Sequence, residues 1–226
     1  MSETWTDLLA AHEAAHEAGG DGQRDGLPEH APVAAVVACS DARVPPSAVF
    51  DQPAGRLFVV RTAGNTATPS TIASLDYAVD GLGVPLVVVL GHTDCGAVAA
   101  AADGHCGDHL HPVTHQICEV VDADRGGSSS EPAPPVDLTE LSGRNVRETL
   151  ARLAASPSPL GQAVQSGRTE LVGALYDLTT GTVVPVGPPT DHPTIDCPST
   201  DCPSLDHPSL DHPTTDHPVT TARSHP

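Results

Sequence analysis

Short apolar runs alternate with helical patterns through the middle of the chain. Residues 33–38 form an apolar, valine-rich run, and residues 57–60 and 86–90 repeat that pattern, so each run predicts a buried strand. Helical spacing of apolar residues predicts helices over residues 70–80 and from residue 96 to 102. This succession predicts an α/β fold with a mainly parallel central sheet flanked by helices.

The pattern changes on either side of this segment. Trp5, Leu8 and Leu9 recur at helical spacing within residues 4–19, which predicts an amphipathic N-terminal helical arm. Later patterns predict helices over residues 139–155 and 160–165, then a strand over 171–178 that pairs with residues 183–184. We therefore divide the chain into an arm (1–30), a central α/β domain (31–186) and a tail (187–226).

The tail repeats a five-residue unit. Six Asp-(His or Cys)-Pro units follow one another between Asp191 and Pro218. A proline in every unit excludes a regular helix, and few apolar residues leave little to bury, so a disordered tail is predicted. The four histidines and two cysteines of these units leave two interpretations open, a solubilising linker, which we favour, and a zinc-storing segment.

Charge and composition narrow the function. The formal net charge of −19 disfavours nucleic acid and anionic membranes as partners. The sequence has no apolar run of signal-peptide or membrane-span length, so a cytoplasmic protein is expected. We expect the six cysteines to be thiols and metal ligands rather than a disulfide framework.

The predicted strands end in residues that bind metals. Cys39 follows the first strand, His92 follows the third, and Cys95 begins the next helix. The carboxyl ends of parallel strands meet at one edge of a sheet, where α/β proteins place their sites. Two cysteines and a histidine suit tetrahedral Zn²⁺, and three protein ligands leave one position for water, as in catalytic sites.

Asp41 and Arg43 lie close to this ligand set. Zinc lowers the pKa of a bound water to about 7, and Asp41 is near enough either to accept its proton or to become the fourth ligand. Pairing with the planar guanidinium of Arg43 would keep Asp41 away from the metal. The alternative is a closed, structural zinc site in which Asp41 is a permanent ligand. Gly96, at the start of a helix, offers a backbone N–H to an anionic ligand.

A second group of ligand-type residues follows residue 102. This group consists of Cys106, His109, His111, His115 and Cys118. Its spacing matches no zinc-finger pattern, so we favour an exposed, histidine-rich helix flank over a second metal site.

Several motifs together resemble the β-class carbonic anhydrases. They are CSDAR at 39–43, RTAGN at 61–65, GHTDCGA at 91–97, DYAV at 76–79, NVR at 145–147 and VGALYD at 172–177. The resemblance implies Zn²⁺ bound by Cys39, His92 and Cys95, with Asp41 and Arg43 as a gating pair. It also implies a lyase that reversibly hydrates carbon dioxide to bicarbonate, and a homodimer or larger homo-oligomer embraced by the N-terminal helix.

Two departures from the family bear on the substrate. Many members have a glutamine nine residues before the first ligand cysteine, where it helps to bind bicarbonate. Here that position is His30, which becomes the candidate for that role, and Gly96 at the helix start is the second candidate for substrate binding. Members usually have asparagine where this chain has Thr62. A carbonyl sulfide or carbon disulfide hydrolase that uses the same zinc site remains the enzymatic alternative.

Overall fold

The computed structural model describes residues 2–18, 29–124 and 136–187. The chain divides into two units, Met1–Thr190 and Asp191–Pro226. The first unit contains all of the elements described below. The second unit carries the Asp-(His or Cys)-Pro repeats, and the prediction of a disordered tail lies outside the described residues.

The first unit is built on a five-stranded sheet in the order β2-β1-β3-β4-β5. Its strands are β1 (Ala34–Cys39), β2 (Leu57–Thr62), β3 (Leu86–His92), β4 (Glu170–Tyr176) and β5 (Val183–Val186). Strand β1 is parallel to β2 and β3, β3 is parallel to β4, and only β5 is antiparallel to its neighbour. The predicted α/β fold with a mainly parallel sheet is confirmed.

Seven α-helices accompany the sheet in the described part of the chain. They are α1 (Glu3–Glu17), α2 (Pro46–Val49), α3 (Pro69–Asp76), α4 (Gly96–Ala102), α5 (His111–Asp124), α6 (Leu138–Ala154) and α7 (Pro159–Gln165). The helix predicted over 70–80 is α3 continued by a π-helical turn, Tyr77–Gly81. The apolar pattern gave no sign of the short α2, which begins at a proline.

The core lies on both faces of β1 and β3. Every residue of β1 is buried, as expected for a parallel strand covered on two sides. Ala35 and Val37 share one apolar cluster with the helices α3, α6 and α7, whereas Val36 and Ala38 belong to a cluster on the other face. Period-two alternation therefore places successive β1 side chains in different layers.

Helix α6 approaches the sheet closely because glycines face it. A Cβ atom at Gly91 of β3 would lie 2.6 Å from Cγ2 of Val146, and one at Gly173 of β4 would lie 2.8 Å from its Cγ1. The absence of these side chains lets α6 pack directly on β3 and β4. This close packing fixes the position of Asn145, which takes part in the site.

Helix α1 confirms the predicted N-terminal helix. The Ser2 hydroxyl caps it by accepting a hydrogen bond from the Trp5 backbone N–H at 3.3 Å. No α1 residue is buried, and the side chains of Trp5 and Leu8 are 48% and 60% exposed. Among the described residues, no helix is both long enough and apolar enough to cross a membrane.

Candidate metal centre

Cys39, His92 and Cys95 come together at the carboxyl edge of the sheet. The register pairs Ala38 of β1 with Leu90 of β3, so Cys39 and His92 end neighbouring strands at nearly the same level. Cys95 follows three residues later and precedes the first residue of α4. All three side chains are buried, and one ligand atom from each lies within 4.8 Å of the other two.

The hydrogen bonding of His92 prepares one ring nitrogen for a metal. Its Nδ1 lies 2.8 Å from the carbonyl oxygen of Thr93. Because that oxygen only accepts hydrogen bonds, Nδ1 carries the proton and Nε2 presents its lone pair. Nε2 is buried and has no hydrogen-bond partner within the described part of the chain. Burial without a partner is costly unless a metal completes the site, so His92 fits a metal ligand.

The two cysteines also fit a metal. Their sulfur atoms are 3.9 Å apart, and the Gly64 N–H donates to Cys39 Sγ over 3.3 Å. The hydrogen bond between the two sulfurs, with a smaller contribution from the Gly64 N–H, lowers the pKa of Cys39. The same bond and burial raise the pKa of Cys95. A divalent cation would stabilise both sulfurs as thiolates, and two thiolates with one imidazole are the soft donor set that Zn²⁺ prefers.

A buried polar network holds the turn that contacts Cys39. Gly64 has a φ of +72°, and its carbonyl accepts a hydrogen bond from Asn145 Nδ2 at 2.7 Å. Gln116 of α5 donates to Asn145 Oδ1 at 2.9 Å and to Thr149 Oγ1 at 2.7 Å. Helices α5 and α6 thus fix the turn that aims an N–H group at the Cys39 sulfur.

We expect Gly64→Ala to damage both the fold and the site. The positive φ disfavours alanine, and the new Cβ would lie 2.6 Å from Cδ1 of Ile117 and 3.2 Å from Cβ of Ala97. Gly83→Ala is the matched control, because Gly83 has a φ of +67° but nothing within 4 Å of an added Cβ. Thermal unfolding should show about 1–2 kcal/mol of destabilisation for the control and about 1–3 kcal/mol more for Gly64→Ala. Equal losses in the two variants would contradict the close packing at Gly64.

Asp41 and Arg43 form a bidentate ion pair beside the Cys-His-Cys cluster. Arg43 donates from Nε to Asp41 Oδ1 at 2.9 Å and from Nη2 to Oδ2 at 2.7 Å, and its backbone N–H also reaches Oδ1 at 2.9 Å. These hydrogen bonds hold the pKa of the Asp41 carboxyl well below its usual range and raise the pKa of Arg43 further. The pair is therefore fully charged across the physiological pH range.

Arg61 supports the backbone of the same loop. Its Nε donates to the Cys39 carbonyl at 2.9 Å, and its Nη2 donates to the Val44 carbonyl at 3.2 Å. Arg61 therefore ties the end of β1 to the loop that carries Asp41. Only the RTAGN motif marked this residue in the sequence, and the motif gave no indication of its contacts.

The two predicted substrate-binding residues lie in different places. Gly96 is exposed at the first position of α4, next to Cys95, and a Cβ there would meet nothing within 4 Å. His30 is exposed and precedes β1 by four residues, whereas Cys39 ends that strand. The structure places Gly96 beside the ligand set and does not bring His30 to it within one chain. The roles of both residues remain predictions.

In the second group of ligand-type residues, the histidines agree with the predicted exposed helix flank, whereas the cysteines differ from the prediction. Cys106 and Cys118 form a disulfide, so two of the cysteines expected to be thiols are not free. The structure joins the segment after α4 to α5, a pairing that the spacing of the two cysteines did not indicate. The imidazoles of His111 and His115 are exposed and stacked, with centroids 4.5 Å apart. Within residues 2–18, 29–124 and 136–187, only Cys39, His92 and Cys95 group as three potential metal ligands.

These features define an α/β protein with a buried Cys-His-Cys centre suited to zinc. A family model described as carbonic anhydrase matches residues 34–183. Carbonic anhydrase 2 of Mycobacterium tuberculosis is 37% identical over 158 residues, covering 68% of this chain and 73% of the relative. Carbonic anhydrase of Pseudomonas aeruginosa is 38% identical over 160 residues, covering 68% and 72% of the two chains.

Solved structures agree with these relatives. A β-carbonic anhydrase of Sordaria macrospora, described as tetrameric, superposes with a TM-score of 0.65 at 25% identity, covering 82% of this chain and 98% of the other. A carbonic anhydrase of Streptococcus mutans gives a TM-score of 0.56 at 26% identity, covering 83% and 99%. The chain therefore belongs to the β-class carbonic anhydrase family, and it is an enzyme of that family.

Proposed function

We propose that this protein catalyses the zinc-dependent, reversible hydration of carbon dioxide to bicarbonate and a proton. The observation that supports the proposal best is the buried Nε2 of His92, which lies beside two cysteine sulfurs and has no hydrogen-bond partner among the described residues. Cys39, His92 and Cys95 would hold the metal. Bound Zn²⁺ supplies Lewis-acid chemistry that makes water a nucleophile near neutral pH.

Asp41 is suited to orient the attacking water. Its Oδ1 accepts two hydrogen bonds from Arg43, whereas Oδ2 accepts one. A carboxylate oxygen has two lone pairs, so Oδ2 keeps one for a water O–H. Because its pKa is well below the usual range, Asp41 acts as a hydrogen-bond acceptor throughout the working pH range and does not itself take up the proton.

The same ion pair favours an open site over a closed structural one. A closed site would need Asp41 as the fourth metal ligand, and Arg43 engages both of its oxygens instead. With Asp41 held in this way, the fourth position remains for water, as catalytic zinc sites require.

Stopped-flow assays on the zinc-analysed protein test the proposal. We expect carbon dioxide hydration that rises between about pH 6.5 and 9 and accompanies about one zinc in the α/β unit per chain. Carbonyl sulfide and carbon disulfide are assayed in parallel. Hydrolysis of either sulfur compound without carbon dioxide hydration would replace the proposed substrate, and loss of all three activities with zinc present would overturn the enzymatic proposal.

We further propose a homo-oligomer, because the Sordaria relative is described as tetrameric. The exposed side chains of Trp5 and Leu8 on α1 support this proposal, since an apolar helix face needs a surface to cover it. Light scattering should give a mass of at least twice the 23.1 kDa chain. A monomer at micromolar concentration would contradict the proposal.

A further inference from the structure

The guanidinium of Arg43 forms hydrogen bonds with both Asp41 and Asp94. In addition to its bidentate contact with Asp41, its Nη1 donates to Asp94 Oδ2 at 3.1 Å and its Nη2 donates to the Asp94 carbonyl oxygen at 3.1 Å. All three guanidinium nitrogens are therefore engaged. Arginine loses much of its side-chain freedom only when its planar group is fixed at several points, and Asp94 supplies the points that Asp41 does not.

The backbone of Asp94 adopts an uncommon conformation that makes this double contact. Its φ is +54°, in the left-handed region that few residues other than glycine adopt, although Asp and Asn tolerate it better than most. In this conformation, both the carbonyl and the carboxylate of Asp94 reach the same guanidinium. The side chain of Asp94 is 78% exposed, so packing in a core does not account for its placement.

Asp94 also connects two parts of the site. It lies between His92 and Cys95, whereas Arg43 and Asp41 follow Cys39 on a different strand. The contact with Arg43 therefore ties the loop of two metal ligands to the loop of the ion pair.

We propose that Asp94 is a positioning residue that holds Arg43 on Asp41 and thereby keeps Asp41 from closing the metal site. The inference rests on the proposed function, because it assigns Asp41 a choice between Arg43 and the metal. Without Asp94, the guanidinium keeps only its hydrogen bonds to Asp41. Since the Arg43 side chain is 51% exposed, water competes for those hydrogen bonds, and Asp41 is released more often.

The test compares Asp94→Asn and Asp94→Gly in the full zinc-loaded protein. Asparagine removes the charge and keeps an acceptor oxygen, whereas glycine removes the side chain and keeps both the positive φ and the carbonyl. Asp51→Asn and Asp51→Gly are matched controls, because Asp51 is also an exposed aspartate with a positive φ of +48°. We expect kcat/KM to fall about two- to fivefold for Asp94→Asn and about five- to twentyfold for Asp94→Gly, and to stay unchanged in the controls.

Two structural readouts separate positioning from a merely supporting role. The ¹⁵N–¹H signal of Arg43 Nε should exchange faster with water in both Asp94 variants, because the guanidinium is less fixed. Crystal structures of the zinc-loaded variants should show the Asp41 carboxylate at the metal with a higher occupancy than in the wild type. An unchanged Arg43 signal and an unchanged metal site would overturn the inference, even if stability fell. If the wild-type protein failed to hydrate carbon dioxide, the proposed function would fail, and the Arg43 signal would still decide whether Asp94 anchors Arg43.

Discussion

Replacing Cys39 by serine should remove the metal and reduce carbon dioxide hydration to the uncatalysed rate. In the proposed zinc site Cys39 is one of two sulfur ligands, and a neutral hydroxyl is a far poorer ligand for Zn²⁺ than a thiolate. Loss of a hydrogen-bond partner of a zinc ligand already costs about 10–100-fold in metal affinity, so loss of the ligand itself should cost more. Metal analysis after dialysis and stopped-flow assays measure the two effects.

The serine variant should nevertheless keep the fold of the sheet. Serine is close to cysteine in size, and its oxygen can accept the hydrogen bond that Gly64 N–H gives to Cys39 Sγ. Cys197→Ser is the control, because it removes a cysteine of the repeat tail and none of the three residues of the Cys-His-Cys cluster. A Cys39→Ser protein that retained wild-type zinc content and activity would contradict the assignment of Cys39 as a ligand. Loss of a second zinc equivalent in Cys197→Ser would instead indicate metal storage in the tail.

The sequence predicted the Cys-His-Cys cluster largely from local patterns. Strands β1 and β3 are continuous apolar runs, and parallel strands bring their carboxyl ends to one edge, so Cys39 and His92 were expected there; the sheet order that makes β1 and β3 neighbours brings them together. The spacing from His92 to Cys95 then placed a third ligand within reach. The same reasoning put Asp41 and Arg43 beside the ligands, and their pairing was one of the two arrangements considered.

The rest of the site depends on contacts between distant parts of the chain. The Asn145 amide meets the Gly64 carbonyl across 81 positions, and Gln116 meets Asn145 across 29, which no short motif records. The left-handed backbone conformation of Asp94 also cannot be predicted from the sequence, because aspartate adopts it only where the surrounding structure requires it. Burial of these polar groups is a tertiary property, so only the folded chain identifies them as part of the site.

The disulfide illustrates the same limit. Cys106 and Cys118 were expected to be thiols because six cysteines in a chain of 226 residues suggest thiols and metal ligands in a reducing compartment rather than a disulfide framework. The contact that brings them together depends on how α5 packs against α4, which local periodicity does not determine. Among the described residues, only Cys39 and Cys95 have free thiols. The argument for a reducing compartment therefore rests on these two residues alone.

Replacing Arg43 by glutamine should leave the metal bound and yet abolish most of the activity. Arg43 touches none of the three ligand atoms in the structure, and its side-chain hydrogen bonds go to Asp41 and Asp94. Without the guanidinium, Asp41 is free to turn to the metal and occupy the position meant for water. Losing a positioned acceptor typically costs about 10²–10⁴ in rate, and the fall in kcat at pH 7 should lie in that range.

The pH dependence distinguishes this effect from a simple loss of charge. Arg43 depresses the pKa of Asp41, so the ion pair stabilises the fold above the unfolded pKa of about 3.9 and loses that contribution only as the pH falls through the lower folded value. In the wild type, neither Asp41 nor Arg43 should therefore change its protonation state between about pH 5 and 9. In Arg43→Gln, Asp41 remains ionised at pH 7, and it becomes a metal ligand rather than a protonated acid.

A crystal structure of the zinc-loaded variant gives the direct measurement. The variant should show the Asp41 carboxylate at the metal and full zinc content, while Arg56→Gln, which changes an exposed arginine elsewhere, should match the wild type in activity and in its metal site. Loss of zinc from Arg43→Gln would mean that Arg43 supports metal binding rather than an open site. Unchanged activity would mean that Asp41 stays away from the metal without help from Arg43. Zinc content reports the first of these outcomes and activity reports the second. The same samples therefore distinguish both outcomes from the gating role of Arg43.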